Sequence, residues 1–182
     1  MEISETVVRV DPSFLQEVNQ RSGQLIQLCY HCHKCTAGCP VAFAMDYGPD
    51  RVLRMIQFGL KEQVLGSSAI WICASCETCG TRCPNEIDIA RIMDALRQIT
   101  VEEGLPTKER NVLLFHKLFL SIVKRLGRMH EASLMALYMP LSRNLFSYIP
   151  IGVKMIVKGK IPLLPHRIKG SDEVKKIFER SG

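Results

Sequence analysis

Eight cysteines carry most of the chemistry open to this chain of 182 residues. They stand at Cys29, Cys32, Cys35 and Cys39, and again at Cys73, Cys76, Cys79 and Cys83. Each quartet reads C-x2-C-x2-C-x3-C and is followed by a proline, Pro40 or Pro84. Every cysteine of the second set lies 44 residues after its counterpart, so the pattern is an internal repeat. A disulfide framework needs an oxidising compartment. The N-terminus carries acids early (Glu2, Glu5, Asp11) and lacks the apolar core of a secretory signal, so the sequence gives no support for export. Structural zinc is ordinarily held by two separated cysteine pairs that meet as a tetrahedron. Here three thiols fall within seven residues and a fourth stands beside proline, an arrangement that wraps onto a cube with iron corners. It is the spacing of bacterial-type [4Fe–4S] binding, and it occurs twice.

In such paired motifs the fourth cysteine crosses to the other cluster. The expected ligand sets are therefore Cys29, Cys32, Cys35 and Cys83 for one [4Fe–4S] cluster, and Cys73, Cys76, Cys79 and Cys39 for the other. That crossover forces the two loops face to face and makes the clusters neighbours, which is the geometry of a relay. The prolines are expected to end each loop and start the next helix. Gly38 and Gly80 are expected to bend the backbone tightly against the cubes and to expose N–H groups to sulfur. With four cysteines per cube, His31 and His33 read as solvent-facing loop residues rather than ligands. Lys34 and Arg82 either offset cluster charge or are solvated.

The rest of the composition narrows the class. Hydrophobic residues make up 47% and charged residues 23%, which is globular and excludes a disordered chain. No run of 18 apolar residues exists, and the longest candidate, 112–123, is broken by His116 and Lys117, so no membrane-spanning helix is expected. The net charge of +6 is uneven: residues 1–100 hold 9 basic and 11 acidic side chains, residues 101–182 hold 15 and 7. Two oxidised clusters with their thiolates add about −2 each, leaving the first part near −6 and the whole near +2. The basic residues are scattered through apolar stretches, with no aromatic-lined stripe, so a zinc-stabilised nucleic-acid module is only a remote alternative.

The elements that must position these cysteines read as helices. One is expected from Asp11-Pro12, carrying Phe14, Leu15 and Val18. Pro49 opens another with Val52, Leu53, Met55, Ile56 and Leu60 on one face and Gly59 near its end, and a short turn runs from Lys61 to Leu65. After the second quartet, Ile89, Ile92, Met93, Leu96 and Ile99 recur at helical spacing. Thr107 is placed to cap a helix carrying Val112, Phe115, Phe119, Ile122 and Leu126, stopped at Gly127. A further helix is expected from Glu131 to Met139, before Pro140. Beyond it periodicity fades: 144–153 is apolar, 158–165 is extended by its prolines, and Asp172 to Phe178 forms a last short helix. The fold class is thus mainly α, with clusters on interhelical loops in residues 1–105 and a basic, apolar, helical and extended tail in 106–182. Docking to a partner protein of a larger complex suits such a tail best; folding back over the cluster region and contact with a membrane surface are the alternatives.

The two CxxCxxCxxxCP quartets on a helical scaffold resemble the α-helical ferredoxin domain of succinate dehydrogenase iron–sulfur subunits and of the glycerol-3-phosphate dehydrogenase C subunit. The succinate dehydrogenase proteins add a [2Fe–2S] domain and carry one three-iron cluster, and the glycerol-3-phosphate dehydrogenase protein adds cysteine-rich CCG repeats. This chain has neither, and no cysteine follows Cys83. Its size, its tail and further segments are similar to the C-subunit family of the coenzyme B–coenzyme M heterodisulfide reductases. Those segments are Cys29 to Pro40, Trp71 to Cys79, Gly127 to Glu131, and Gly159 to Pro165. The resemblance implies a cytoplasmic electron-transfer component of an oxidoreductase complex in methanogenesis. It would relay electrons through two [4Fe–4S] clusters, from the flavin-containing, iron–sulfur A subunit to the catalytic, CCG-repeat B subunit that reduces CoM-S-S-CoB. A hydrogenase or formate dehydrogenase module would be an indirect partner. No nucleotide fingerprint, metal–water site or nucleophile–base pair is found, so no substrate site and no catalytic residue are expected in this chain itself. An iron–sulfur subunit of a membrane-associated respiratory dehydrogenase or reductase is the alternative setting.

Overall fold

A computed structural model describes residues 9–142, 149–160, 162 and 164–181. Among these residues there is no strand, and the chain divides into two compact units, 1–110 and 111–182.

The described residues of the first unit form seven α-helices: α1 (Phe14–Ser22), α2 (Lys34–Ala37), α3 (Pro49–Gln57), α4 (Lys61–Leu65), α5 (Ala69–Ile72), α6 (Thr78–Thr81) and α7 (Ile89–Glu102). Local chemistry explains their ends. Gly23 takes the left-handed conformation (φ 67°) just past α1, and Pro49 sits in the first turn of α3, where its missing N–H costs nothing. Asp88 caps α7 by accepting the Arg91 N–H at 3.1 Å. α7 is the axis of the unit, packing against α1, α4, α5 and α6, while α3 packs against α1, α2 and α4. The apolar stripe expected on α7 is buried: Ile89, Ile92, Met93, Leu96 and Ile99 are at most 1% exposed. Phe14, Val18, Leu53, Ile56, Leu65 and Ile70 meet it from the neighbouring helices. Each large side chain so buried contributes on the order of 2 kcal/mol, enough to hold short helices that would not form alone.

The three four-residue helices, α2, α5 and α6, are not legible from periodicity. Neither proline opens a helix. Pro40 leads into a 3-10 turn at Ala42–Ala44, and Pro84 lies in a turn closed by the Glu86 N–H on the Cys83 carbonyl at 3.1 Å. The spacers differ: nine residues separate Cys39 from Pro49, and five separate Cys83 from Ile89.

The second unit contains the rest of α8 (Arg110–Leu126), then α9 (Glu131–Leu141), α10 (Ile149–Val157) and α11 (Ser171–Ser181). Thr107 Oγ1 accepts the Glu109 N–H at 3.0 Å, and α8 begins three residues after that threonine. Gly127 is left-handed (φ 77°) and lies against Ile168, whose N–H donates to the Leu126 carbonyl at 3.2 Å. α9 is capped by His130, whose Nδ1 accepts the Ser133 N–H at 3.2 Å. It runs through Pro140 rather than stopping before it: the proline removes its own N–H bond, but only Leu141 follows it in the helix, so little helix is left to distort. α10 is the helix that periodicity misses. The expected extended run 158–165 includes residues 161 and 163, which lie outside the described residues.

Asp46 ties the start of α5 to the end of the first unit. Its carboxylate accepts the Ser68 N–H at 2.9 Å, the Ala69 N–H at 3.1 Å and Lys108 Nζ at 3.0 Å. Burial pushes this carboxyl up, but those donors outweigh it and bring the pKa down to about 2 from 3.8. A carboxylate depressed on folding adds stability that is complete above its unfolded pKa and is lost as pH falls through the folded one. Asp46→Asn is therefore expected to cost about 2 kcal/mol at pH 7 in chemical denaturation. The deficit should close only between about pH 4 and about pH 2.

Candidate metal centre

The two cysteine loops have the same local conformation. His31 and His33, between the first three cysteines, have φ of 60° and 61°; Ser75 and Glu77, 44 residues later, have φ of 51° and 58°. Left-handed torsions at non-glycine residues cost about 1 kcal/mol or more each and persist only where the surroundings fix them. They turn the chain so that N–H groups point inward: His31 N–H reaches the Cys29 sulfur, Thr36 N–H the Cys35 sulfur and Gly80 N–H the Cys79 sulfur. Cys76 receives the Thr78 N–H, with the Thr78 hydroxyl 3.4 Å from its sulfur. The bending expected of Gly38 and Gly80 falls to these four residues instead, since Gly38 has φ −97° and Gly80 lies within α6.

Each loop then enters a single helical turn, α2 or α6, that carries the third cysteine inward. Cys35 and Cys79 are buried, whereas Cys32 and Cys76 are exposed. α2 packs on α6, so the loops face each other. Gly38 is the contact point. A Cβ placed there would lie 2.7 Å from Arg82 Cδ, and Arg82 is the residue 44 positions on from Gly38. Arg82 thus fills the space that the missing side chain leaves.

Sulfurs from the two loops approach one another. Cys39 lines a mainly apolar hollow with Cys73, Cys76 and Cys79, walled on its inner side by Val41, Met45, Ile89, Ala90 and Met93. On the other side Cys83 lies near Cys29. Burial pushes the Cys29 thiol up, the His31 N–H opposes it, and charge on Cys83 and Cys32 raises it further. Burial and the neighbouring Cys73 push the Cys79 thiol up to about 11, with Cys35 across the interface adding to it. Crowded, buried thiols of this kind become thiolates when a cation takes the place of their protons. Four sulfurs around an apolar hollow, with N–H donors aimed at sulfur, fit a cubane cluster.

Two side chains that sequence reasoning missed pin the loops from behind. Gln57, ninth residue of α3, donates Nε2 to the Ile26 carbonyl (2.9 Å) and the Cys29 carbonyl (3.2 Å), and its Oε1 meets His31 Nε2 at 2.8 Å. Arg97, ninth residue of α7, donates Nε to the Ile70 carbonyl (2.6 Å), Nη2 to the Cys73 carbonyl (2.5 Å) and Nη1 to Ser75 Oγ (3.3 Å). The three partner positions of Gln57 are the 44-residue counterparts of those of Arg97, with two carbonyls accepting in each case. A polar residue at the ninth position of the helix after each quartet is the signal that would have found them.

The histidines hold hydrogen bonds to protein side chains. His33 Nδ1 is 2.8 Å from Asp50 Oδ2, and Asp50 also accepts the Thr36 hydroxyl, so this buried carboxylate braces the first loop. Burial raises the Asp50 carboxyl, and the Thr36 and His33 contacts outweigh it and hold it below the usual range. Lys34 is exposed.

The left-handed torsion at Ser75 has a direct test. Ser75→Gly is expected to keep the wild-type iron content, whereas Ser75→Val costs about 1–2 kcal/mol more in the loop and lowers iron and acid-labile sulfide per chain.

Residues 28–88 match the family model described as a 4Fe-4S dicluster domain. The chain is 31% identical over 127 residues to the iron–sulfur C subunit of the CoB–CoM heterodisulfide reductase of Methanopyrus kandleri, covering 63% of this chain and 66% of that protein. It is 38% identical over 102 residues to the iron–sulfur protein numbered C 2 of the same enzyme in Methanocaldococcus jannaschii, covering 56% and 51%. Over 98% of its length it is 24% identical to the C subunit of the H2:CoB–CoM heterodisulfide,ferredoxin reductase of Methanothermobacter thermautotrophicus, of which it covers 88%. The matched stretch thus spans between half and two thirds of the first two relatives. With its paired cysteine loops and a stretch that matches the 4Fe–4S dicluster domain, the chain is similar to the iron–sulfur C subunits of heterodisulfide reductases.

Proposed function

We propose that this chain is the two-cluster electron relay of a heterodisulfide reductase complex. It takes electrons from the flavin-containing A subunit and delivers them to the catalytic B subunit, which reduces CoM-S-S-CoB. The observation that carries the reading is the facing of the two loops, which sets Cys39 among Cys73, Cys76 and Cys79 and brings Cys83 to Cys29. It supports the crossed ligand sets: Cys29, Cys32, Cys35 with Cys83, and Cys73, Cys76, Cys79 with Cys39. When bound, each [4Fe–4S] cluster accepts and releases one electron. The chain's own residues hold the sulfurs, aim N–H groups at them and exclude water with Met45, Ile89 and Met93, conditions that tune potential and keep reorganisation small. The names of relatives, which pair the heterodisulfide with H2 or with ferredoxin, support a place in such a complex.

Residues 106–182 serve in this reading as the docking tail. Supporting it, the second unit has an apolar cavity of about 270 Å³ lined by Phe115, Leu134, Met135, Tyr138, Met139 and Met155. Leu120, Leu141, Val153 and Val157 are each at least half exposed. No helix of the described residues is long and apolar enough to cross a membrane, in keeping with the cytoplasmic setting proposed here.

Two experiments test the proposal. Anaerobic, detergent-free purification of the native assembly should bring down a flavoprotein and a CCG-rich protein; a haem- or quinone-linked membrane partner would overturn this role in favour of a respiratory one. For the ligand sets, Cys39→Ser should perturb the signal of the cluster held by the second loop, and Cys83→Ser that of the first. Electron paramagnetic resonance of the reduced variants reads this, and damage confined to the cluster of the same motif would refute the crossover.

A further inference from the structure

The two loops share their backbone path but not their charge. Gln57 and Arg97 occupy the same place, each ninth in the helix behind its loop and each bound to the same pair of carbonyl positions. One is neutral and the other a cation whose side chain is 17% exposed. The second position of each helix differs in the same direction. In α3 it is Asp50, a carboxylate 10% exposed and directed at the first loop through His33 and Thr36. In α7 it is Ala90, which lines the hollow of the second loop. The opposing charges are weaker: Asp94, paired with Arg97 Nη1 at 2.7 Å, is 55% exposed, Glu77, the counterpart of His33, is exposed, and so are the cations beside the first loop, Lys34, Arg51 and Arg54. Water and salt screen such groups far more than they screen Asp50 or Arg97.

Resting on the two-cluster reading above, we propose that Arg97 and Asp50 give the relay its direction. Arg97 makes the cluster of Cys73, Cys76, Cys79 and Cys39 the better electron acceptor, and Asp50 makes the cluster of Cys29, Cys32, Cys35 and Cys83 the poorer one. Reduction adds one negative charge to a cluster, so a buried cation beside it raises the potential and a buried anion lowers it. The charges are set into groups that also fix the loops, so Arg97 and Asp50 are positioning residues whose electrostatic part a potential measurement isolates. The electron enters at the first loop and comes to rest at the second.

The test is a redox titration of the full-length, cluster-loaded chain, followed by electron paramagnetic resonance, with iron and sulfide counted in the same samples. The wild type should give two midpoints. Arg97→Gln, which leaves an amide able to donate to both carbonyls as Gln57 does, should lower the higher midpoint and leave the lower one in place. Arg97→Lys should retain most of the wild-type separation. Asp50→Asn should raise the lower midpoint alone. Full cluster content with unmoved midpoints, or movement of the opposite midpoint, overturns the proposal. If Arg97→Gln fails to hold its cluster, the Asp50→Asn titration decides alone, by the same criterion. A wild-type chain that binds no pair of [4Fe–4S] clusters would instead defeat the underlying reading, an outcome distinct from either.

Discussion

The facing of two short cysteine loops is the contact on which the sulfur site of the first unit depends. Neither loop has a core of its own: each is a left-handed pair of turns followed by one turn of helix. The loops are held by what lies behind them, the carbonyl pins of Gln57 and Arg97, and those pins stand on α3 and α7, which are held by the apolar core. Order therefore flows outward from Leu53, Ile56, Leu96 and Ile99 through two polar side chains to the sulfurs. The strain at His31, His33, Ser75 and Glu77 is carried by that support.

Much of this could be read from residues alone. The repeat of four cysteines and proline points to its chemistry because metal ligands leave their spacing in the chain. α3 and α7 are marked by one-sided apolar spacing, and α3 also by Pro49 at its start and Gly59 just past its end. What the sequence hides has physical reasons. α10 is apolar with no polar face to give it phase, and a four-residue helix such as α6 has no period at all. The left-handed sites carry histidine, serine and glutamate, so no glycine announces them. Gln57 and Arg97 act on carbonyls, which every residue has, and the first stands 28 residues from its loop's leading cysteine while the second stands 24 away.

Those two distances reflect a repeat kept in two separate frames. The loops repeat at 44 residues and the helices behind them at 40, the difference being absorbed by the longer spacer that carries the Ala42–Ala44 turn. What stays constant within the molecule is the geometry of loop against pin, not the length of chain between them. Short connections on the surface tolerate such changes far more readily than packed elements do. The turn leaves Phe43 90% exposed close to Cys39, so the two sides of the unit present different surfaces.

The fit of Arg82 over Gly38 also governs which loops can meet. Two near-identical halves could in principle pair with their own kind in a neighbouring chain. First loop against first loop would set Gly38 opposite Gly38 and leave a void with no side chain to fill it. Second loop against second would crowd Arg82 against Arg82, a clash of both volume and charge. Only unlike loops offer a hole to a knob, so the duplicated sequence carries a pairing code that sets each loop against its counterpart and not against its own kind.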